Sequence, residues 1–180
     1  MIKDIVLTIP LVDQSRDVKD KEWKKKSCAI CSVKMVIGFN NKGHLDLNIG
    51  QLIHEAREMG GYLDGIGWKH KTITDLARKY GVKFNFIKKF PKTLKEKSGW
   101  LKKLEKSVID GKPAMVSIHY KLNKKNGGHV VVVNGVRKDG KIVLGYHIQD
   151  PDHSFRGNNY FISKDKFLLG WRGGMILLSK

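Results

Sequence analysis

Four ranges of the chain repeat apolar residues at helical spacing, and a turn containing glycine or asparagine follows each of them. In the range 28–39 the apolar positions fit a buried helix that ends near Gly38 and Asn40. The range 72–80 begins with a threonine and is followed by Gly81, as a capped helix would be. The charged range 13–26 is too hydrophilic for the core and is predicted to be a loop. The predicted helices are 28–39, 47–59, 72–80 and 98–109.

The second half of the chain carries short runs rich in valine, isoleucine and aromatic residues, which favour strands. The turn Lys138-Asp-Gly-Lys141 joins two of these runs into a predicted hairpin. Two earlier ranges also have an extended pattern. The predicted strands are 5–12, 82–87, 114–120, 130–136, 142–148, 160–162 and 175–178. Helices first and antiparallel strands second are typical of a segregated α+β domain, with an N-terminal helical half packed on a C-terminal antiparallel sheet.

The composition fits one globular domain that spans residues 1–180. The hydrophobic share of 41% and the charged share of 29% supply enough apolar side chains for a core. No run approaches the ~18 apolar residues of a membrane span. The opening residues include Asp4 within an apolar run that is too short for a secretory signal. We therefore expect a cytoplasmic protein, with export of a processed form as the alternative.

The chain is strongly basic, with 35 Lys plus Arg against 17 Asp plus Glu, so its formal net charge is 35 − 17 = +18. A field of this sign attracts nucleic acid or an anionic surface. Phosphate-binding surfaces, however, favour arginine forks interleaved with aromatic residues, and no such pattern occurs here. We therefore favour a solvated, lysine-rich surface over a nucleic acid partner or an anionic surface.

Cys28 lies where the charged range meets an apolar helix. A thiol at a helix N-terminus faces unpaired backbone N–H groups and the positive end of the helix dipole, and both stabilise the thiolate. The position therefore suits a nucleophile, although a lone cysteine more commonly fills space at the start of a core helix. Cys28 and Cys31 are too few and too close for a disulfide framework.

A histidine and a carboxylate lie at the open end of the predicted hairpin. His129 follows two glycines and begins the run of valines from Val130, while Asp150 ends the next strand. They lie ten and nine residues from the Asp139-Gly140 pair, so the hairpin brings them close together. A carboxylate beside an imidazole fixes its tautomer and stabilises the imidazolium, which is the logic of a cysteine–histidine–acid triad.

Several short motifs occur in a fixed order along the chain. They are Gln14, Ser27-Cys-Ala-Ile-Cys-Ser-Val-Lys-Met-Val36, Gly111-Lys-Pro-Ala-Met-Val-Ser-Ile-His119, Gly127-Gly-His-Val-Val-Val-Val-Asn-Gly135 and Gln149-Asp-Pro151. Together they resemble the C39-like peptidases of the papain-like cysteine protease superfamily. The segment Gly65-Ile-Gly-Trp-Lys-His70 is similar to stand-alone bacterial members. Each motif is short, and the ordered set is much more specific than any one of them.

The resemblance implies a papain-like fold and a cysteine peptidase that needs no cofactor or metal. Carried over residue by residue, Cys28 would be the nucleophile, His129 the base and then the acid, Asp150 the group that orients the imidazole, and Gln14 the oxyanion donor. The partner would be a peptide or protein substrate. Relatives fused to export transporters cut after a double glycine in leader peptides, and this chain has no transporter domain.

Two positions depart from the family pattern. Ala29 stands where a glycine is usual, and Cys31 stands where a small residue without a thiol is common. Because Cys31 falls one helical turn beyond Cys28, we expect it to face the core and to have a structural role. Asp152 is the nearest alternative to Asp150, but it follows Pro151 and is predicted to cap the turn.

Other functions use the same residues. Cys28 and Cys31 form a Cys-x-x-Cys that could be a redox pair, although no early strand closely precedes it. With His44 and His54 they could also bind zinc, at a spacing that does not fit a zinc finger. A third alternative is a catalytically inactive papain-like module that binds peptides or anionic partners. Acyl transfer uses the same residues as hydrolysis, so the sequence leaves both reactions open.

Overall fold

Among the described residues, seven strands form one large sheet and two short strands form a separate pair. The computed structural model describes residues 1–42, 46–88 and 93–179. The helices are α1 (Gln14–Asp17), α2 (Cys28–Asn40), α3 (Ile49–Glu58), α4 (His70–Lys79), α5 (Leu94–Ile109) and α6 (Lys164–Gly170). The strands are β1 (Ile2–Val6), β2 (Tyr62–Leu63), β3 (Gly67–Trp68), β4 (Phe84–Lys88), β5 (Ala114–His119), β6 (Gly128–Asp139), β7 (Ile142–Gln149), β8 (Asn159–Ser163) and β9 (Trp171–Leu178). A single 3₁₀ turn, Tyr120–Leu122, follows β5.

The main sheet is antiparallel, with strand order β4-β9-β5-β6-β7-β8. Strand β6 is the longest, and two strands share one of its edges. Its first half pairs with β5, from Val133 with Ala114 to Gly128 with His119. Its second half pairs with β1, from Gly135 with Val6 to Asp139 with Ile2. The N-terminal strand therefore continues the line of β5 beside the strand that carries His129.

Helices cover both faces of the sheet, and each face has its own apolar core. On one face α2, α3 and α4 pack against Met115, Val132 and Ile176. On the other face α5 and α6 pack against Val131 and Val133, which alternate with Val132 along β6. Helix α2 is buried over most of its surface, which explains why its sequence has no polar face.

Comparison with the sequence pattern confirms the α+β fold class and corrects its details. The predicted helices 28–39, 47–59 and 72–80 correspond to α2, α3 and α4. Helix α5 begins four residues before the predicted range because Thr93 and Glu96 form a capping box. The sheet recruits β1 and β4 from the first half of the chain, and α5 and α6 cover its second face, so the division into halves is less strict than predicted.

The range 13–26 is more structured than the predicted loop. It contains α1, and it buries Val18 and Trp23 to 1% and 4% exposure. The predicted strand 5–12 overlaps β1, which ends at Val6. The hairpin of β2 and β3 and helix α6 are absent from the sequence prediction because both are short and lack a clear periodicity.

Candidate active site

Cys28 is the first residue of α2, and its thiol is partly exposed. The buried Ser27 precedes it as the N-cap residue, so the thiol lies beside the unpaired N–H groups of the first helical turn. The backbone N–H of Val130 donates a hydrogen bond to the Cys28 thiol. The carbonyl of the same residue accepts a hydrogen bond of 3.0 Å from Ser32 Oγ, one turn into α2. Val130 therefore fixes the start of the helix against β6.

His129 and Asp150 meet because the register of the β6–β7 hairpin carries them together. Each strand has one irregular residue, Asn134 in β6 and Leu144 in β7, and the two shifts cancel before the open end. Val132 pairs with Gln149, so continuing the register puts Asp150 opposite Val131 and makes His129 its diagonal neighbour. His129 Nε2 lies 2.6 Å from Asp150 Oδ1, and both side chains are buried.

Three further contacts hold the Asp150 carboxylate in place. The backbone N–H of Asp152 donates to Asp150 Oδ1 at 2.9 Å, and the Tyr160 hydroxyl donates to Asp150 Oδ2 at 3.3 Å. The backbone N–H of Asp150 itself donates to the carbonyl of Asn158 at 2.6 Å. Burial, together with the charge of Asp150, raises the pKa of Tyr160, so this hydroxyl stays protonated and available as a donor.

The electrostatics favour a charged pair between Cys28 and His129. Burial by itself would raise the pKa of the Cys28 thiol, but the charge of His129 and its hydrogen bond to the sulfur outweigh burial and lower the pKa overall. Burial by itself would also lower the pKa of His129, but the thiolate and Asp150 outweigh it and raise that pKa. Since Asp150 occupies Nε2, the thiol interacts with the other side of the ring. The arrangement therefore stabilises a thiolate beside an imidazolium.

Gln14 is held close to the Asp150 loop by the backbone. It begins α1, and its N–H donates to the carbonyl of Pro151 at 2.8 Å. Asp13 caps α1 by accepting from the N–H groups of Ser15 and Arg16. The Gln14 side chain is buried, and its Oε1 has no hydrogen-bond partner among the described residues. The backbone contact with Pro151 therefore fixes Gln14 beside the loop that follows Asp150.

The segment from β1 to Gln14 is attached to the same hairpin that carries His129 and Asp150. The side-chain N–H of Asn134 donates a hydrogen bond to the Leu7 carbonyl at 3.1 Å. The backbone carbonyl of Asn134 accepts a hydrogen bond from the Leu7 N–H at 2.7 Å. Gln149 donates to the carbonyl of Ile9 at 2.9 Å. The irregular residue of β6 therefore also positions the chain that leads to Gln14.

The residues outside this cluster have structural roles. Cys31 is fully buried, its thiol donates to Ser27 Oγ at 3.7 Å, and burial raises its pKa to about 12. The predicted inward position of Cys31 is confirmed. A thiol with this pKa is almost entirely protonated at neutral pH, so it is a poor nucleophile for a redox pair. Asp152 accepts from the backbone N–H of Ser154 at 2.9 Å, so the predicted turn cap is confirmed.

The zinc alternative has little to support it. His54 pairs with Glu58 at 3.2 Å on the exposed side of α3, and Cys31 is enclosed in the core. His44 lies outside the described residues. In the ranges 1–42, 46–88 and 93–179, no three metal-ligating side chains come together.

Sequence reasoning missed two tyrosines beside His129. The Tyr120 ring contacts the imidazole edge to face, with ring centroids 5.4 Å apart, and its hydroxyl donates to Asp152 at 2.8 Å. Tyr160 reaches Asp150 from β8, where it pairs with Ile148. The pairing of β8 with β7 puts Tyr160 two positions from Asp150, and the strand pattern of the sequence does not reveal that pairing. No sequence signal pointed to Tyr120.

Comparisons with known proteins agree with this fold. Among solved structures, a protein from Bacillus anthracis described as a C39-like peptidase superposes with a TM-score of 0.66 at 17% identity, over 99% of this chain and 98% of that chain. A double glycine motif protease from an AMS/PCAT transporter, solved with its leader peptide, gives a TM-score of 0.58 at 17% identity, over 97% and 94% of the two chains. The peptidase domain of Streptococcus ComA, a bifunctional ABC transporter, gives 0.56 at 20% identity, over 86% and 92%.

These structures confirm the papain-like fold that the sequence predicted. None of the helices in the described part of the chain is both long and apolar enough to cross a membrane. No curated protein matches the sequence significantly. A model of the Peptidase_C39 like family matches residues 6–173, which is most of the chain. The chain therefore belongs to the Peptidase_C39 like family.

Proposed function

We propose that this protein is a cysteine peptidase that hydrolyses a peptide bond through the Cys28 thiolate. One observation carries the proposal: His129 lies between two partners, bonded to Asp150 at 2.6 Å on one side and to the Cys28 thiol on the other. A binding module has no need of a thiol with a lowered pKa at a helix N-terminus, whereas a nucleophile does.

In the first half of the reaction, the Cys28 sulfur attacks the carbonyl carbon and the carbonyl electrons move to oxygen. The imidazolium of His129 then gives its proton to the leaving amine as the carbon–nitrogen bond breaks. The first product is the amine half of the substrate, and the acyl half remains on Cys28 as a thioester. At this stage neither charge of the pair remains, because the sulfur is part of the thioester and the ring of His129 has given its proton to the amine.

In the second half of the reaction, neutral His129 takes a proton from water, and the resulting hydroxide equivalent attacks the thioester. Cleavage of the carbon–sulfur bond releases the carboxylic acid and restores the thiolate beside the imidazolium. Asp150 keeps the ring oriented through both steps. Gln14 and the backbone N–H of Cys28 are the proposed donors to the oxyanion.

The proposed substrate is a peptide or protein. The PCAT transporter protease was solved in complex with a leader peptide, which is the kind of substrate that its site accepts. The low identity of 17% to that protein gives no reason to assign a double-glycine cleavage site to this chain.

Selective alkylation tests the proposal without knowledge of the substrate. Iodoacetamide at about pH 6 should label one thiol per chain in the wild-type protein, since a thiol of ordinary pKa reacts slowly there. Labelling should disappear in Cys28→Ala and persist in Cys31→Ala, which is the matched control one helical turn away. Equal reactivity of the two thiols, or no reaction of Cys28, would contradict the proposal.

A further inference from the structure

The segment between β5 and β6 and the start of β9 carry exposed cationic side chains, which we call the cationic rim: Lys121, Lys124, Lys125 and Arg172. Three of them belong to the segment between β5 and β6. That segment lies in a stretch without any acidic residue between Asp110 and Asp139. The positive charge of this part of the chain is therefore not balanced by neighbours in sequence.

Arg172 is the member of the rim nearest to the site. Its guanidinium lies against Gly128, where a side-chain Cβ on Gly128 would collide with Arg172 Nη1. Gly128 directly precedes His129, so the absence of a side chain there lets the cation approach the backbone next to the imidazole. Within the part of the chain that the structure describes, the Arg172 side chain makes no hydrogen bond or ion pair.

Packing holds the turn that carries Lys121 against the end of α6, directly before β9 and Arg172. Gly170 closely contacts Leu122, so the end of α6 packs against the 3₁₀ turn that carries Lys121. The same turn closes onto the start of β6 through a hydrogen bond of 2.9 Å from Tyr120 N–H to the Gly127 carbonyl. Lys121 lies over the Tyr120 ring, 5.3 Å from its centre, and that ring contacts His129.

The nearest carboxylates do not neutralise the rim. Asp150 and Asp152 are buried to 3% and 9% exposure. Asp150 is bonded to His129 and Tyr160, and Asp152 to Tyr120 and Ser154. Both carboxylates are therefore buried and already hydrogen-bonded, whereas the cations of the rim are exposed.

We propose that the cationic rim, and Arg172 above all, selects substrates that carry an acidic side chain close to the scissile bond. The proposal rests on the proposed peptidase function, because the rim acts on whatever chain His129 and Cys28 cleave. An exposed ion pair is worth at most about 1 kcal/mol, so one acidic residue should raise kcat/KM by about two- to fivefold over its amide equivalent. The preference should weaken as salt screens the charges.

The test is the cleavage of a mixed peptide library, with the cut sites read by mass spectrometry. At each position within three residues of the cut, the number of cut sites with Asp or Glu is divided by the number with Asn or Gln. This ratio gives the acidic preference and shows whether it lies before or after the scissile bond. Arg172→Gln should remove most of it, and Arg172→Glu should invert it towards Lys and Arg. Lys141→Glu is the matched control, since it makes the same charge change on an exposed residue at the far end of the β6–β7 hairpin, about 30 Å away along β6.

The outcomes separate the two proposals. Cuts without an acidic preference, or a preference that Arg172→Glu leaves unchanged, would overturn the role of the rim and leave the peptidase proposal standing. A loss of heparin binding in Arg172→Glu without any change in cleavage preference would assign the rim to a polyanion and also overturn it. If the wild-type protein leaves the whole library uncut, both proposals fail. A change of preference in Lys141→Glu equal to that in Arg172→Glu would show only a bulk charge effect, which contradicts a local role.

Discussion

Cys28 reaches the site from the helical side of the molecule, whereas His129 and Asp150 reach it from the sheet. Around Cys28 the structure is apolar: α2 is buried over most of its length, and its first residue lies where the charged range 13–26 ends. Around His129 the structure is polar, and the Asp150 carboxylate at the end of β7 accepts hydrogen bonds from the Asp152 N–H and the Tyr160 hydroxyl and pairs with His129, which links β6, β7 and β8.

The difference shows how each side fixes the positions of its reactive groups. A helix start is defined within a few residues, so the direction of the N–H groups beside Cys28 follows from local structure. The contact between His129 and Asp150 depends on a hairpin in which two irregular residues must cancel. We therefore expect the helical side to tolerate loss of a single contact, and the sheet side to be sensitive to each of its members.

His129→Ala should have the largest effect, because it removes the group that both stabilises the thiolate and transfers the proton. We expect kcat/KM to fall by about 10⁴-fold or more, as when a member of a catalytic unit is lost. The urea midpoint of unfolding should change little in comparison. Reactivity of Cys28 with iodoacetamide at about pH 6 should fall in parallel. Wild-type turnover in this variant would exclude the proposed role of the sheet side.

Asp150→Asn should have an intermediate effect, since the amide keeps the shape and can still accept from the Asp152 N–H. Loss of the negative charge leaves the imidazolium less stable, and we expect kcat to fall by about 10²- to 10⁴-fold. KM should change much less, because Asp150 is buried behind His129. If Asp150→Asn instead made unfolding less cooperative and left kcat unchanged, Asp150 would have a purely structural role.

The pH profile of kcat/KM separates the two sides further. The reactive form needs a deprotonated Cys28 and a protonated His129. Because the thiol pKa is lowered, the rate should rise at a lower pH than for a free cysteine, and because the imidazole pKa is raised, the rate should fall only at alkaline pH. In Asp150→Asn the alkaline limb should move to lower pH, since Asp150 helps to raise the pKa of His129. An unchanged alkaline limb would contradict this coupling.

Trp68→Phe should have the smallest effect and probes the helical side. The indole N–H of Trp68 donates to the carbonyl of Lys26 at 2.6 Å, two residues before Cys28. Losing this bond should lower the free energy of unfolding by about 1 kcal/mol. We expect kcat/KM to fall by no more than a few fold, and the measurement is a comparison with Asp150→Asn in the same assay. A loss as large as that of Asp150→Asn would mean that both sides are equally sensitive.

The sequence supports prediction of those parts of the site that depend on local structure. The start of α2 follows from a charged range before an apolar helix, and the meeting of His129 with Asp150 follows from counting residues along a hairpin. That count works because the irregularities at Asn134 and Leu144 compensate each other, which the sequence does not reveal. Resemblance to a family was needed for Gln14, because its position depends on a contact with Pro151, 137 residues further along.

The cationic rim and the two tyrosines could not be predicted from the sequence. Arg172 comes near His129 because β9 lies beside β5, and strand order across a sheet is not encoded in hydrophobic periodicity. Tyr120 depends on the fold of the turn after β5. The packing of α6 against that turn is similarly a tertiary contact between distant segments.

The order of the reactive groups along the chain has a consequence for biosynthesis. Residue 28 leaves the ribosome long before residues 129 and 150, and the lowered pKa of its thiol depends on His129 and Val130. Until the β6–β7 hairpin has formed and packed on α2, the nascent polypeptide carries an ordinary, weakly ionised cysteine. The proposed peptidase activity would thus arise only on completion of the fold, and an unfinished or unfolded copy would lack it.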